Sequence, residues 1–336
     1  MSAPSSSAPV VNAPSKTERL RNTSALFARV SRDSERVVVP INDSALDKNT
    51  SLPAFYCVHD ITGGALSDFV ALAQRLETTA RFYGIQAPPK KMEEADFGKS
   101  IESMADYYVE ALSKFQPQGQ LLLGGYCAGA IVALEIAKKF RDKGRDVALL
   151  IALDAVPENT SAELRPWNPS YLVALARNLP AWFIYGGLKK QKDSHSLLRR
   201  ISSNAIALGR IAMGRRPTQR LDGGYDISDS MSLSRYPPEQ RSFINRFYEA
   251  CFAYFPQQYS GDVVVYEANV TPVLYLPQIG NRWRSIAAGC VIVGVPGTHL
   301  RMLHEPQVSE IASDLQRRIA SPPLKPSTLA GSLELN

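Results

Sequence analysis

Histidine and cysteine are scarce in this chain, at four each in 336 residues. The cysteines (Cys57, Cys127, Cys251 and Cys290) show no metal-type pairing, so no metal site is expected. No apolar stretch approaches the roughly 20 residues needed to span a bilayer. Met1 to Pro14 is rich in Ser, Ala and Pro without an apolar core, so no secretory signal is visible. A reducing cytoplasm is the expected setting, and it would keep a cysteine usable as a thiol. No nucleic-acid recognition motif or aromatic-interleaved basic groove accompanies the net charge of +6, so nucleic acid is not an expected partner.

What is present fits a soluble globular protein, with 45% hydrophobic and 21% charged residues. One large domain with an insertion, or two small domains, would suit the length. Residues 1–35 and 321–336 read as a disordered extension and a flexible tail. From Arg36 strands and helices alternate. Strands are expected at Arg36 to Ile41, Ala54 to His59, Arg81 to Gln86, Gln120 to Gly124 and Val147 to Leu153. Helices are expected at Ala65 to Leu76, Ser100 to Phe115 and Ala130 to Phe140. This is the rhythm of a mostly parallel α/β sheet covered on both faces. In the second helix Ile101, Met104, Ala105, Tyr108, Leu112 and Phe115 form one apolar stripe, which is a core signal and not a catalytic one. After Asp154 the alternation stops for about 100 residues, a length read off the spacing of periodic segments, and 157–255 reads as an inserted helical lid. The core, 36–156, resumes at 256–320 with strands at Asp262 to Ala268 and Cys290 to Val295 and a last helix from Pro306 to Ile319. Cys57 and Cys290 lie in strand-like runs and are expected to be buried hydrophobes, while Cys251 falls in an aromatic helix.

The chemistry centres on Gly125-Tyr126-Cys127-Ala128-Gly129, between an apolar strand and a helix. Strand, sharp turn and helix make a nucleophile elbow, with cysteine at the position that is usually serine. Small residues flanking Cys127 suit a turn too tight for larger side chains. The following helix aims its N-terminus at the sulfur, where its dipole and the N–H of Ala128 would favour a thiolate and then an oxyanion.

A cysteine nucleophile needs a base and a group that orients the base. Elbow enzymes carry these in the order nucleophile, acid, histidine. His59 precedes the nucleophile. His195 lies in a basic stretch where a surface role is the simpler expectation, and His304, near the last helix, is expected to cap or pack. His299 follows a strand in Val295-Pro-Gly-Thr-His-Leu300 and is the expected base. Asp154 closes Val147 to Leu153 and could be a turn or capping residue; beside Cys127 and His299 it is the expected acid. Asp60-Ile61-Thr62-Gly63-Gly64 forms a glycine-rich turn after a strand, and the N–H of Ile61 is the candidate second oxyanion donor.

These motifs together resemble the thioesterase domains of nonribosomal peptide and polyketide synthases. The resemblance rests on Phe55-Tyr-Cys-Val-His-Asp-Ile-Thr-Gly-Gly64, Gly124-Gly-Tyr-Cys-Ala-Gly129, Ala133-Leu-Glu-Ile-Ala137, Leu153-Asp154 and Gly297-Thr-His-Leu-Arg-Met-Leu303, and spans roughly Arg36 to Ile319. It implies an α/β-hydrolase fold and no cofactor of the enzyme's own. An acyl, peptidyl or polyketide chain would arrive as a thioester on the phosphopantetheine of a carrier protein, move to Cys127 and be released. The insert would form a lid, with Trp167 and Tyr171 as candidates to line the acyl pocket. Trp283 is instead expected to be a packing anchor. Dienelactone hydrolases also carry an elbow cysteine, but their acid comes later in the fold and they lack such a long insert. No carrier signature around a modifiable serine is visible, so the carrier would be a separate partner.

Tyr185 to Arg220 holds nine Lys or Arg against one acid, a local excess of +8. Its stretch from Lys189 to Arg220 is either a solvated face or a landing site for an anionic partner, and acidic carriers would suit the second use. Two positions depart from the family pattern. Asp60 replaces a proline, which would bring a second carboxylate toward the site. Cys127 replaces serine, so the enzyme-bound acyl group would remain a thioester. That retained free energy points to cyclisation or transfer as well as hydrolysis. Acyl transfer to an amine, alcohol or second carrier is the alternative activity, and a catalytically silent carrier-binding module is the non-enzymatic one.

Overall fold

The computed structural model describes residues 35–47, 50–64, 66–157, 233, 236–270 and 279–320. Among them, seven strands form one sheet. They are β1 (Val38–Pro40), β2 (Ala54–Val58), β3 (Arg81–Ile85), β4 (Leu121–Tyr126), β5 (Val147–Leu153), β6 (Tyr259–Val270) and β7 (Ala287–Thr298). Their order is β1-β3-β2-β4-β5-β6-β7. Only the β1–β3 pairing is antiparallel.

Alternation along each strand divides the core in two. Tyr56, Val58, Leu121, Leu123, Leu150 and Ala152 face one cluster; Phe55, Cys57, Leu122, Ile151 and Leu153 face the other. The first is covered by α3 (Ile101–Phe115), α4 (Ala128–Asp142), α5 (Pro238–Ala253) and α6 (Ile279–Ile286). The second is covered by α1 (Val70–Arg75) and α7 (Val308–Ala320). A strand buried on both faces needs an unbroken apolar run, and Leu121-Leu122-Leu123 supplies one for β4 at the sheet centre.

Several expected elements change in detail. The helix expected at Ala65 to Leu76 divides into a 3-10 turn (Leu66–Phe69) followed by α1. A short helix, α2 (Pro89–Glu93), lies beyond β3. The stripe of α3 is buried as expected from Ile101 to Leu112, with Ser100 capping the helix by accepting the amide of Ser103, whereas Phe115 at its end is exposed. Strands β6 and β7 outrun their apolar centres. Cys57 and Cys251 are buried, but Cys290 is only half-buried, contrary to expectation, because β7 lies at the edge of the sheet. Of the expected lid, α5 is described; His195, Trp167, Tyr171 and Lys189 to Arg220 lie outside the described residues. Among the described residues no helix is long and apolar enough to cross a membrane.

Candidate active site

The elbow is shaped by close backbone approach. Cys127 sits at φ 56° and ψ −131°, between the end of β4 and the start of α4. A left-handed φ at a non-glycine residue costs on the order of 1–3 kcal/mol and persists only where its surroundings enforce it. Here the enforcement is visible: a Cβ at Gly125 would strike the backbone of Gly129, and one at Gly129 would strike the carbonyl of His59. The amide of Cys127 donates to the carbonyl of Leu153 at 3.0 Å, tying the turn to β5. The N–H of Ala128 opens α4 and has no acceptor within the helix, so it is free to face an anion at the sulfur.

β5 ends on Asp154, which also adopts a left-handed conformation, at φ 49°. Its Oδ1 accepts the amide of Ala268 at 2.8 Å, and Oδ2 lies 2.8 Å from Nδ1 of His299. The Asp154 side chain is 7% exposed and that of His299 30% exposed, so a buried carboxylate holds an imidazole that remains open to solvent. Nδ1 is occupied by Asp154, which leaves Nε2 as the nitrogen available to the Cys127 sulfur, whose charge bears on the imidazole. Burial works against the imidazolium, but the Cys127 sulfur and Asp154 outweigh it and raise His299 to about 10. Asp154 and His299, expected from two separate parts of the chain, are thus joined by a hydrogen bond, and the charge of the Cys127 sulfur bears on the same imidazole.

The loop after β2 folds as a turn in which the amide of Gly63 donates to the carbonyl of Asp60 at 3.2 Å. The Asp60 carboxylate accepts the amide of Thr62 at 2.9 Å and its hydroxyl at 2.5 Å. That leaves the N–H of Ile61 outside the turn's own hydrogen bonds. His59 is buried; its Nδ1–H donates to the carbonyl of Asp60 and its Nε2 accepts from the Tyr108 hydroxyl at 2.6 Å. Burial lowers its pKa, so it is a neutral brace for the loop. Burial, followed by the charge of Asp60, raises the carboxyl of Asp68. Asp60 therefore bears electrostatically on a second acid of this region.

Some contributors gave no signal in the sequence. Gln240 Nε2 of α5 donates to the carbonyl of Thr62 at 2.9 Å, and Phe243 packs against Gly63. Arg246 Nη2 donates to the carbonyl of Met92 at 2.7 Å. The apolar spacing of α5 marks a packed helix but not its target. Trp283 of α6 is fully buried, and its Nε1 donates to the carbonyl of Ala155 at 2.7 Å, supporting the turn that carries Asp154. His304 is exposed and caps only through its carbonyl, which accepts the amide of Val308 at 3.0 Å. Among the described residues no group of three or more His, Cys, Asp or Glu side chains could hold a metal ion.

Part of the chain is similar to known proteins. Residues 53–176 match the thioesterase domain family. A dimodular nonribosomal peptide synthase of Bacillus subtilis (strain 168) is 30% identical over 132 residues, covering 38% of this chain and 6% of that protein. Atromentin synthetase of Tapinella panuoides is 32% identical over 167 residues, covering 48% of this chain and 17% of that protein. The chain thus spans only a small part of the length of these relatives. Among solved structures, the NocB thioesterase domain from the nocardicin cluster superposes with a TM-score of 0.50 at 21% identity, covering 81% of this chain and 96% of that one. The four-domain nonribosomal peptide synthetase holo-AB3403 gives 0.53 at 22% identity, over 85% of this chain and 20% of that one. Residues 53–176 are thus similar to thioesterase domains, and the chain shares the fold of the solved NocB thioesterase domain.

Proposed function

We propose that the protein takes an acyl, peptidyl or polyketide chain from the phosphopantetheine thioester of a separate carrier protein onto Cys127, and releases it by cyclisation, transfer or hydrolysis. The observation that carries this reading is the imidazole of His299, held at 2.8 Å by Asp154 and raised in pKa by the charge of the Cys127 sulfur. In the first half-reaction the Cys127 thiolate attacks the carbonyl carbon of the incoming thioester. The resulting oxyanion lies between the N–H groups of Ala128 and Ile61. Collapse breaks the bond to the pantetheine sulfur, which leaves with a proton from the imidazolium of His299. In the second half-reaction His299 takes the proton of a hydroxyl, amine or water as that group attacks the acyl carbon, and Cys127 departs as thiolate.

Cysteine at the elbow favours release with bond formation. A serine ester would dissipate part of the thioester's free energy, whereas an enzyme thioester nearly conserves it for closing a ring or making an amide. Transfer to an external amine, alcohol or second carrier uses the same first half-reaction, and the same retained energy supports it. Acidic carriers would be recruited by the basic stretch from Lys189 to Arg220. The test is product partition by the C127S variant on the native acyl-carrier. Hydrolysis retained with ring closure or transfer diminished supports the proposal. A release of free acid alone by the unaltered enzyme, with every acceptor supplied, overturns the release mode.

A further inference from the structure

We infer that Tyr126 is a positioning residue for the imidazole of His299, holding it by two contacts at once. Tyr126 is the last residue of β4, directly before Cys127, and is 5% exposed. Its ring stacks on that of His299, with centroids 4.8 Å apart and planes 18° apart. Its hydroxyl donates to the main-chain carbonyl of His299 at 2.8 Å. One side chain therefore grips both the backbone and the ring of the same histidine.

His299 needs such a grip. It opens a 3-10 turn, His299–Arg301, directly after β7 at the edge of the sheet, and the next residue, Leu300, is 76% exposed. Asp154 fixes only one edge of the imidazole, through Nδ1; a single in-plane hydrogen bond leaves the ring free to tilt about that contact. A parallel tyrosine face removes the tilt and leaves only the in-plane edges available, one toward Asp154 and the other toward Cys127. The face of an aromatic ring also attracts a cation, so it suits an imidazolium better than an aliphatic wall would. Burial raises the phenol of Tyr126 well above its ordinary range, so the hydroxyl remains a donor throughout the working pH range. Because Tyr126 and Cys127 are neighbours on the chain, base and nucleophile are aligned from one strand end.

The inference rests on His299 acting as the base, and its test separates the two. Steady-state kinetics with an acyl-pantetheine thioester would compare Y126F, which keeps the ring and loses the hydroxyl, with Y126L, which loses both contacts. Misplacement of a catalytic group by about 1 Å costs on the order of 10²-fold in rate, and Y126L is expected to lose about that much kcat with KM unchanged. Y126F is expected to lose several-fold and so to rescue most of the Y126L defect. The alkaline limb of the kcat/KM profile should move to lower pH in Y126L and little in Y126F. A merely structural tyrosine would lower the folded fraction without moving that limb. Equal kinetics and pH profiles for Y126L and the unaltered enzyme, alongside an inactive H299A, would overturn the role of Tyr126 alone. An H299A variant with full activity would overturn both assignments. Where Y126L fails to fold, Y126F with unaltered kcat and unaltered pH profile overturns the two-contact grip.

Discussion

Oδ2 of Asp154 meets Nδ1 of His299 at 2.8 Å although 145 residues separate them in sequence. The second carboxylate oxygen is held by the amide of Ala268, which fixes the carboxylate against the imidazole. A buried carboxylate fixed at both oxygens selects the imidazole tautomer with its proton on Nδ1 and supports the charge that forms during transfer.

That relationship gives a pH prediction. The folded-state value of His299 is raised to about 10, against roughly 6.5 for a free histidine. Its contribution to folding stability is therefore complete below the unfolded value and is lost as pH rises through about 10. The alkaline limb of kcat/KM is expected near the same pH. D154N removes the carboxylate charge and presents the wrong hydrogen-bonding partner. It should lower kcat by about 10³- to 10⁴-fold and carry the alkaline limb toward neutrality. A D154N enzyme with the original limb would show that Asp154 does not govern the base.

Gly129 tests the elbow's construction. A methyl group there meets the carbonyls of His59 and Val58, which are backbone atoms that cannot step aside. G129A is expected to destabilise the fold by about 3 kcal/mol, at the upper end of the overpacking range. The urea midpoint of unfolding reads this directly, and an unchanged midpoint would mean that α4 can shift relative to β2 without cost.

Gln240 ties α5 to the loop that carries Ile61. Removing its amide in Q240A frees the carbonyl of Thr62, so the loop should lose its setting while the substrate pocket keeps its shape. A fall in kcat of about tenfold, equivalent to about 1.4 kcal/mol of transition-state stabilisation, is expected with little change in KM. A rise in KM at constant kcat would instead place Gln240 in substrate binding.

Trp283 supports the acid turn from beneath. W283F keeps a large ring but leaves the carbonyl of Ala155 without its donor. A buried acceptor stripped of its partner costs about 1–3 kcal/mol, so thermal unfolding should move to lower temperature by a corresponding amount. Full stability in W283F would mean that water or a neighbouring group replaces the indole.

The sequence made the site easier to recognise than its supports. Cys127, Asp154 and His299 each follow a strand whose apolar run is plain, as in Leu121 to Leu123 and Val147 to Leu153, and each falls at the same sheet edge. The supports depend on contacts between distant segments. Tyr126 and His299 are 173 residues apart, and Gln240 and Thr62 are 178 apart, so no local pattern encodes either pair. Helix α6 carries little apolar signal, since only Ile279, Gly280, Trp283 and Ile286 of its eight residues are buried. The ends of β6 and β7 pair through backbone groups beyond their apolar centres, and hydropathy does not register that pairing.

The most direct test is the mass of the intact protein after brief exposure to its acyl-carrier thioester or an acyl-pantetheine surrogate, followed by peptide mapping. The expected result is one acyl adduct, carried on Cys127, labile to hydroxylamine as a thioester and absent from C127A, whose turnover should fall by about 10³-fold or more. An adduct on another residue, or a C127A enzyme that still releases product at the original rate, would contradict the assignment of Cys127 as the acyl acceptor.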